Sequence, residues 1–303
     1  MPVPSGEQFA IANGTAKAVI TEVGATLRTF VDEGRAVVWG FSEDEMSTAG
    51  RGQVLAPWPN RLADGTYEFG GHTARAPLDE PDLHNAIHGF VRWLPWSITR
   101  VDATAISCTL RLTPQPSYPW WLRLEILYFV VAHTLTVRTT AENIGDEPAP
   151  FALGFHPYLA AGANGLDEAR LSLSARQRLV LDERKLPVAT ELVSATELAG
   201  LSTGISLRGL HLDDALTDIG LDADSRWRAR FTPGGERPIV VFADAAFTHA
   251  MCFTGDSLAP KDRRAGLAIE PMTAPPNALA TGSGVIELAP GETVSVSWGI
   301  EAG

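Results

Sequence analysis

Basic residues are scarce in this sequence: 24 Lys and Arg stand against 36 Asp and Glu, for a formal charge of -12. The molecule as a whole therefore repels a phosphate backbone or an anionic bilayer, and nucleic acid is not an expected partner. Cysteine is scarcer still. Cys108 and Cys252 lie far apart, outside any Cys-x-x-Cys or Cys/His spacing, which argues against a disulfide framework or a structural zinc site. The longest apolar run, Ile126 to Ala132, falls far short of the ~20 residues a spanning helix needs. Residues Met1 to Gly6 lack the basic and apolar regions of a secretory signal. The expectation is a soluble, cytoplasmic protein with reduced thiols and no membrane association. Helical periodicity is also nearly missing. The best window, Asp182 to Leu201, contains Pro187, Gly200 and β-branched residues, and reads as loop and short turns.

What is present is alternation. Ile106, Cys108, Leu110 and Leu112 share one face, with Ser107, Thr109, Arg111 and Thr113 on the other, the mark of a half-buried strand. Leu122, Leu124, Ile126 and Tyr128 alternate with Arg123 and Glu125, and Leu135 and Val137 with Thr134, Thr136 and Arg138, giving two more strands that should pair antiparallel. Near the C-terminus Val294, Val296, Trp298 and Ile300 alternate with Thr293, Ser295 and Ser297 after a Pro290-Gly291 turn. With the run Val285 to Leu288 before it, this reads as a hairpin. Asn13-Gly14, between Phe9/Ile11 and Ala18 to Val23, suits a two-residue turn. The 28 Gly and 21 Pro are spread without a composition break, and 45% of residues are hydrophobic. The predicted fold is all-β: residues 1–303 as one large antiparallel β-sandwich domain.

Four polar clusters sit in or beside Pro-, Gly- or Asn-rich segments, where a β scaffold usually carries function. They are Pro57-Trp58-Pro59-Asn60-Arg61, Asn85-Ala86-Ile87-His88-Gly89, Gly154-Phe155-His156-Pro157-Tyr158 and Ile269-Glu270-Pro271-Met272-Thr273. None has metal-ligand spacing. His156, set between Phe155 and Pro157, cannot lie in an uninterrupted central strand and should be held at a strand end. Glu270, after the apolar run Gly266 to Ile269, should project from the end of a buried strand, where burial raises a carboxyl pKa towards that of a useful base. Taken singly, each residue has a plainer role open to it. Arg61 could pair with Asp64, His88 could cap a turn beside Gly89, and tryptophans 58, 93, 96, 120 and 121 could be packing rather than a sugar-stacking platform.

Together and in order, these clusters resemble the aldose 1-epimerase (galactose mutarotase) family. The resemblance runs through most of the chain: Gly24-Ala25-x-Leu27, Pro-x-Asn60-Arg61-x-x-x-Gly65-x-Tyr67, Asn85-x-x-His88-Gly89, Tyr118-Pro119-Trp120, His156-Pro157-Tyr158, Thr254-Gly255-Asp256 and Ala268-Ile269-Glu270-Pro271. It implies the family's β-supersandwich. It also implies a free aldose as substrate, His156 as general acid, Glu270 as general base, and Asn60, Arg61, His88 and Asp213 as sugar-binding residues. Two departures bear on the pocket: Leu216 stands where an aromatic is usual, with Asp214 as a neighbour competing with Asp213, and Phe90 replaces a common second glycine.

The implied reaction opens a hemiacetal ring: a proton reaches the ring oxygen while another leaves the C1 hydroxyl. The acid and base are expected on opposite sides of one pyranose, with the histidine near its ordinary value of about 6.5 and the glutamate near about 4.3. The open aldehyde turns about C1–C2 and closes on its other face, with no metal, nicotinamide or covalent intermediate required. Three other readings are open. A glycosidase would use Glu270 with Asp213 or Asp214. A hexose-6-phosphate epimerase would hold its dianion on Lys261, Arg263 and Arg264, the one compact basic cluster near a motif. A non-enzymatic carbohydrate-binding module would use the aromatics, Asn and Asp, and leave the paired acid and base without a role. The preferred aldose and the oligomeric state are not legible at this level.

Overall fold

The computed structural model describes residues 3–303. The chain folds as an all-β antiparallel sandwich built on a nine-stranded and an eight-stranded sheet. In the first, strands Ala105–Leu112, Leu122–Val131 and Thr134–Asn143 form a meander, and the C-terminal strand Thr293–Ala302 adds to its free edge. The alternating faces land as expected: Ile106 meets Tyr128, Cys108 meets Ile126, and Val137 meets Trp298, all buried. In the second sheet the order runs Pro187–Leu192, Ala175–Leu181, Asp213–Ile219, His249–Phe253, Gly266–Met272, Gly154–Phe155 and Val54–Leu55, with Tyr158–Ala160 also on Gly266–Met272.

One continuous cluster of buried side chains joins the two sheets, taking in Ile126, Val137, Trp298 and Phe231 from the first and Leu216, Ala250, Cys252 and Ile269 from the second. The opposite face of the second sheet is thereby left to carry polar groups. The strands Gln8–Asn13, Ala16–Thr21, Leu27–Asp32 and Arg35–Ala36 make a separate four-stranded meander. Among the described residues the only α-helix is the single turn Ala278–Thr281, and no helix is long and apolar enough to cross a membrane.

Three local expectations are corrected. The N-terminal hairpin forms, but Asn13 pairs with Ala16, so its two-residue turn is Gly14-Thr15. Only Gly14 needs positive φ there, 58°, the glycine-first turn that matches the twist of a hairpin. The proposed C-terminal hairpin does not exist. Ile286–Leu288 pairs with Ala149–Phe151, whereas Thr293–Ala302 lies between Thr134–Asn143 and Ile239–Asp244. A Pro-Gly turn reverses the chain without saying which strand it returns to. The window Asp182 to Leu201 has turns as expected, but Pro187–Leu192 is a strand at the edge of its sheet, a place that tolerates a proline without an N–H.

The meander of the first sheet carries the core. Ile126→Ala should lower unfolding free energy by about 2–5 kcal/mol, read as a lower denaturation midpoint at unchanged m-value.

Candidate active site

The second sheet aligns the chemistry by register. Gly154 lies opposite Met272 and Tyr158 opposite Ala268, which sets His156 across from Glu270. On its other side the ladder pairs Gly154 with Leu55 and Phe155 with Val54, so Gln53 comes next to His156. The His156 N–H donates to the Gln53 carbonyl at 3.1 Å. Glu270 is paired with Met251 in turn. Gln53, His156, Glu270 and Met251 thus form a row across the sheet. Because side chains alternate along a strand, Ile269 enters the core while Glu270 faces the other way.

His156 does sit at a break, between Gly154–Phe155 and Tyr158–Ala160. Glu270 is not at a strand end: Gly266–Met272 runs through it and through Pro271, buried along its whole length. The proline is tolerated because the neighbouring strand is itself interrupted at His156-Pro157, where the ladder is already thin.

His156 Nε2 and Glu270 Oε1 are 3.2 Å apart, with side-chain exposures of 7% and 3%. This overturns the expectation that the two flank a sugar from opposite sides. Burial pulls the imidazole down to about 3 and, with help from the Asp213 charge, pushes the Glu270 carboxyl well above the ordinary carboxylate range, with Arg61 opposing. The histidine is therefore far from the expected 6.5. A buried pair of this kind titrates as a unit, and desolvation favours its uncharged form, neutral imidazole beside protonated carboxyl. His156 Nδ1 and Glu270 Oε2 have no partner in the protein.

The imidazole is held on one face and along one edge. The Tyr158 ring stacks on it at 4.9 Å and 15°, and its hydroxyl donates to the Ala49 carbonyl at 3.1 Å. On the edge, Gly50 (φ +75°) approaches so closely that a Cβ would stand 2.5 Å from His156 Cδ2. A glycine is needed there both for the backbone and for the space.

The pair lies in a cavity of about 530 Å³, and Asn60, Arg61, His88 and Asp213 line it too. All six residues named from the sequence are thus together. His88 is buried, and its Nδ1 accepts the Asn60 N–H at 3.1 Å. Desolvation and the neighbouring cations hold it well below the usual histidine range, so it is neutral and its proton sits on Nε2. Arg61 pairs with Glu80 through Nε at 2.8 Å and Nη2 at 2.9 Å, not with Asp64, which binds His84 and Arg184 instead. The fork-on-carboxylate geometry fixes the guanidinium plane. Asp213 meets Lys185, with Nζ 3.1 Å from Oδ2. Asp214, on the alternate face of the strand, is held by Arg178 at 3.0 Å, which separates the two aspartates.

Gly50, Gln53, Glu80, Arg92 and Phe253 also line the cavity and were not read from the sequence. Gln53 comes in through the strand register beside His156, and Arg92 through the short 3-10 turn Val91–Trp93 that follows His88-Gly89. Of the five tryptophans, 58, 96 and 120 are buried packing; Trp93, 47% exposed, reaches the cavity rim, and Trp121 is exposed at 37%. The Lys261–Arg264 cluster stands elsewhere: Arg264 is bound to Asp256 and Asp167. No grouping of three or more His, Cys, Asp or Glu suited to a metal occurs among the described residues.

The aldose 1-epimerase family model matches residues 7–300. The chain belongs to this family. Its members are isomerases acting on sugars, and this chain is an enzyme of that class. It is 32% identical over 290 residues to the uncharacterized protein YihR of Escherichia coli, covering 95% of this chain and 91% of that one. It is 28% identical over 200 residues to a maltose epimerase of Levilactobacillus brevis, 60% of this chain and 57% of that protein. In fold it is similar to a GalM/aldose epimerase homologue from C. elegans, with a TM-score of 0.85 at 22% identity over 97% and 98% of the two chains. The galactose mutarotase-like sandwich expected from the motifs is thus the fold observed.

A raised carboxyl pKa in the folded state contributes stability that is fully present below the unfolded value, near 4.3, and is lost as pH rises through the folded one. Glu270→Gln removes that loss. Its melting temperature should match wild type near pH 4 and exceed it at pH 7–8, by roughly 0.5–2 kcal/mol in unfolding free energy, as measured by calorimetry across pH.

Proposed function

We propose that this enzyme interconverts the α and β anomers of a free aldose by acid/base ring opening, with residues 1–303 acting as one unit. The carrying observation is the buried 3.2 Å contact of His156 with Glu270 inside a sugar-sized cavity. The ring oxygen and the anomeric oxygen of a pyranose are both bonded to C1 and lie side by side. A donor and an acceptor that themselves touch are therefore spaced to serve both.

The pair carries one dissociable proton. Placed on His156, it leaves an imidazolium and a carboxylate, a charge arrangement that sugar binding between flanking polar groups favours over the empty cavity. Glu270 takes the proton of the C1 hydroxyl while His156 gives one to the ring oxygen. The bond from C1 to the ring oxygen breaks as the C1 carbonyl forms. After rotation about C1–C2 the ring oxygen attacks the opposite face, and both protons return. Neutral His88 donates through Nε2, and Arg61 donates through its guanidinium, orienting the hydroxyls; Asn60 sets the His88 tautomer. Asp213 accepts from the sugar.

Other readings have less support. A glycosidase needs a second free carboxylate, yet Asp213 on the cavity is paired with Lys185, Asp214 is held by Arg178 outside the lining, and His156 is the group that touches Glu270. A phosphorylated sugar needs an unpaired cationic cluster, and none of Lys261, Arg263 and Arg264 lines the cavity. Family membership removes the non-enzymatic module.

Magnetisation exchange between anomeric proton signals, across a panel of aldoses, should show protein-dependent exchange. His156→Asn and Glu270→Gln should each cost about 10²- to 10⁴-fold in kcat, while Arg61→Ala should act chiefly on KM. Retained exchange in either of the first two removes that residue from its role. Because the working pair is singly protonated, kcat/KM should hold down to an acid limb near the His156 value of about 3 and fall on the alkaline side as the raised Glu270 carboxyl ionises. A rate that instead climbs through pH 4–5, as for a free carboxylate base, contradicts this assignment.

A further inference from the structure

The hairpin of strands Ala175–Leu181 and Pro187–Leu192 brings its tip to the mouth of the sugar cavity. Asp182 shapes that tip: its carboxylate accepts the N–H groups of Arg184 and Leu186, each at 2.9 Å. Lys185 occupies the left-handed region there, φ +62°, which is unusual for a lysine and is found where surrounding structure overrides local preference. The overriding contacts are visible. Arg184 donates to the carbonyls of Leu83 at 3.0 Å and His84 at 2.7 Å, and to Asp64 at 3.0 Å. The buried Asn85 amide donates back to the Arg184 carbonyl at 2.9 Å. The tip is bolted to the segment that leads into His88, and Lys185 follows directly, its ammonium 3.1 Å from Asp213.

An ion pair this exposed, 43% and 30%, contributes little to stability, so fold stability does not account for so much anchoring. Its chemistry does fit a ligand. A carboxylate alone accepts and an ammonium alone donates, but a sugar hydroxyl does both at once. Lys185 and Asp213 side by side therefore match a single hydroxyl; Asp213 lines the cavity that holds His156 and Glu270, and Lys185 reaches its edge through the 3.1 Å contact with Asp213. We propose that Lys185 is a specificity-determining residue which, together with Asp213, reads one hydroxyl of the bound aldose away from the reacting C1. This rests on the anomerase reading above and adds to it a contact at the non-reacting part of the substrate.

The test is exchange kinetics of wild type, Lys185→Met and Lys185→Arg on the preferred aldose and on its 2-, 3-, 4- and 6-deoxy analogues. Lys185→Met should raise KM about tenfold with kcat within twofold of wild type, Lys185→Arg should recover part of the loss, and one deoxy analogue alone should erase the difference between wild type and Lys185→Met. An unchanged KM, or a loss of equal size on every analogue accompanied by a lower melting temperature, overturns the assignment and leaves the anomerase reading standing. A wild type that accelerates exchange of no aldose strikes the anomerase reading itself, and the Lys185 role with it.

Discussion

The site depends on one cross-strand neighbour relation. The register that sets Gly154 against Met272 and Tyr158 against Ala268 leaves His156 and Glu270 facing each other on the side of the sheet turned away from the core. In an antiparallel ladder such neighbours lie side by side, so imidazole and carboxyl meet without a loop having to position either. A one-residue slip would send both side chains to the wrong face. The core side of the same strands, through Ile269, Cys252 and Leu216, is what forbids the slip. Core packing and the His156–Glu270 contact are two faces of one constraint.

The same relation has a cost. Two titratable groups are taken out of water, and the Nδ1 of one and the Oε2 of the other lack partners. Buried polar groups are normally satisfied, and exceptions concentrate where a substrate completes them. Around the pair, the surrounding charges are paired in a pattern that fixes position: Arg61 with Glu80, Arg92 with Asp79 and Lys185 with Asp213. Arg61, Glu80, Arg92 and Asp213 on the cavity wall thus carry both signs of charge.

Several segments that share the family pattern do not touch the cavity. The Tyr67 hydroxyl donates to the Ser117 carbonyl and that of Tyr118 to the Pro150 carbonyl, both as buried braces. The Thr254 hydroxyl accepts the Leu212 N–H at 2.8 Å, anchoring the strand start that presents Asp213. Gly24 lies so near the Arg92 carbonyl that a Cβ would be 2.5 Å away. These residues hold the elements that hold the site.

Alternation of apolar and polar residues was enough to read the central strands, since period-two burial is a local property of the chain. Pro157 marked the break at His156, whereas Pro271 did not end the strand of Glu270, and the order of motifs pointed to six of the residues that line the cavity. Strand partners were another matter. Thr293–Ala302 follows a turn and looked like half of a hairpin, yet its partners are about 60 and 160 residues away in sequence, a choice made by whole-core packing rather than by the turn. Gln53 and Lys185 carry no local mark, because what gives each its place is a neighbour from another segment, His156 for one and Asp213 for the other. The separation of His156 from Glu270 and the displacement of both pKa values also lay beyond the chain's local pattern: contact and desolvation exist only once the sheet has closed over them.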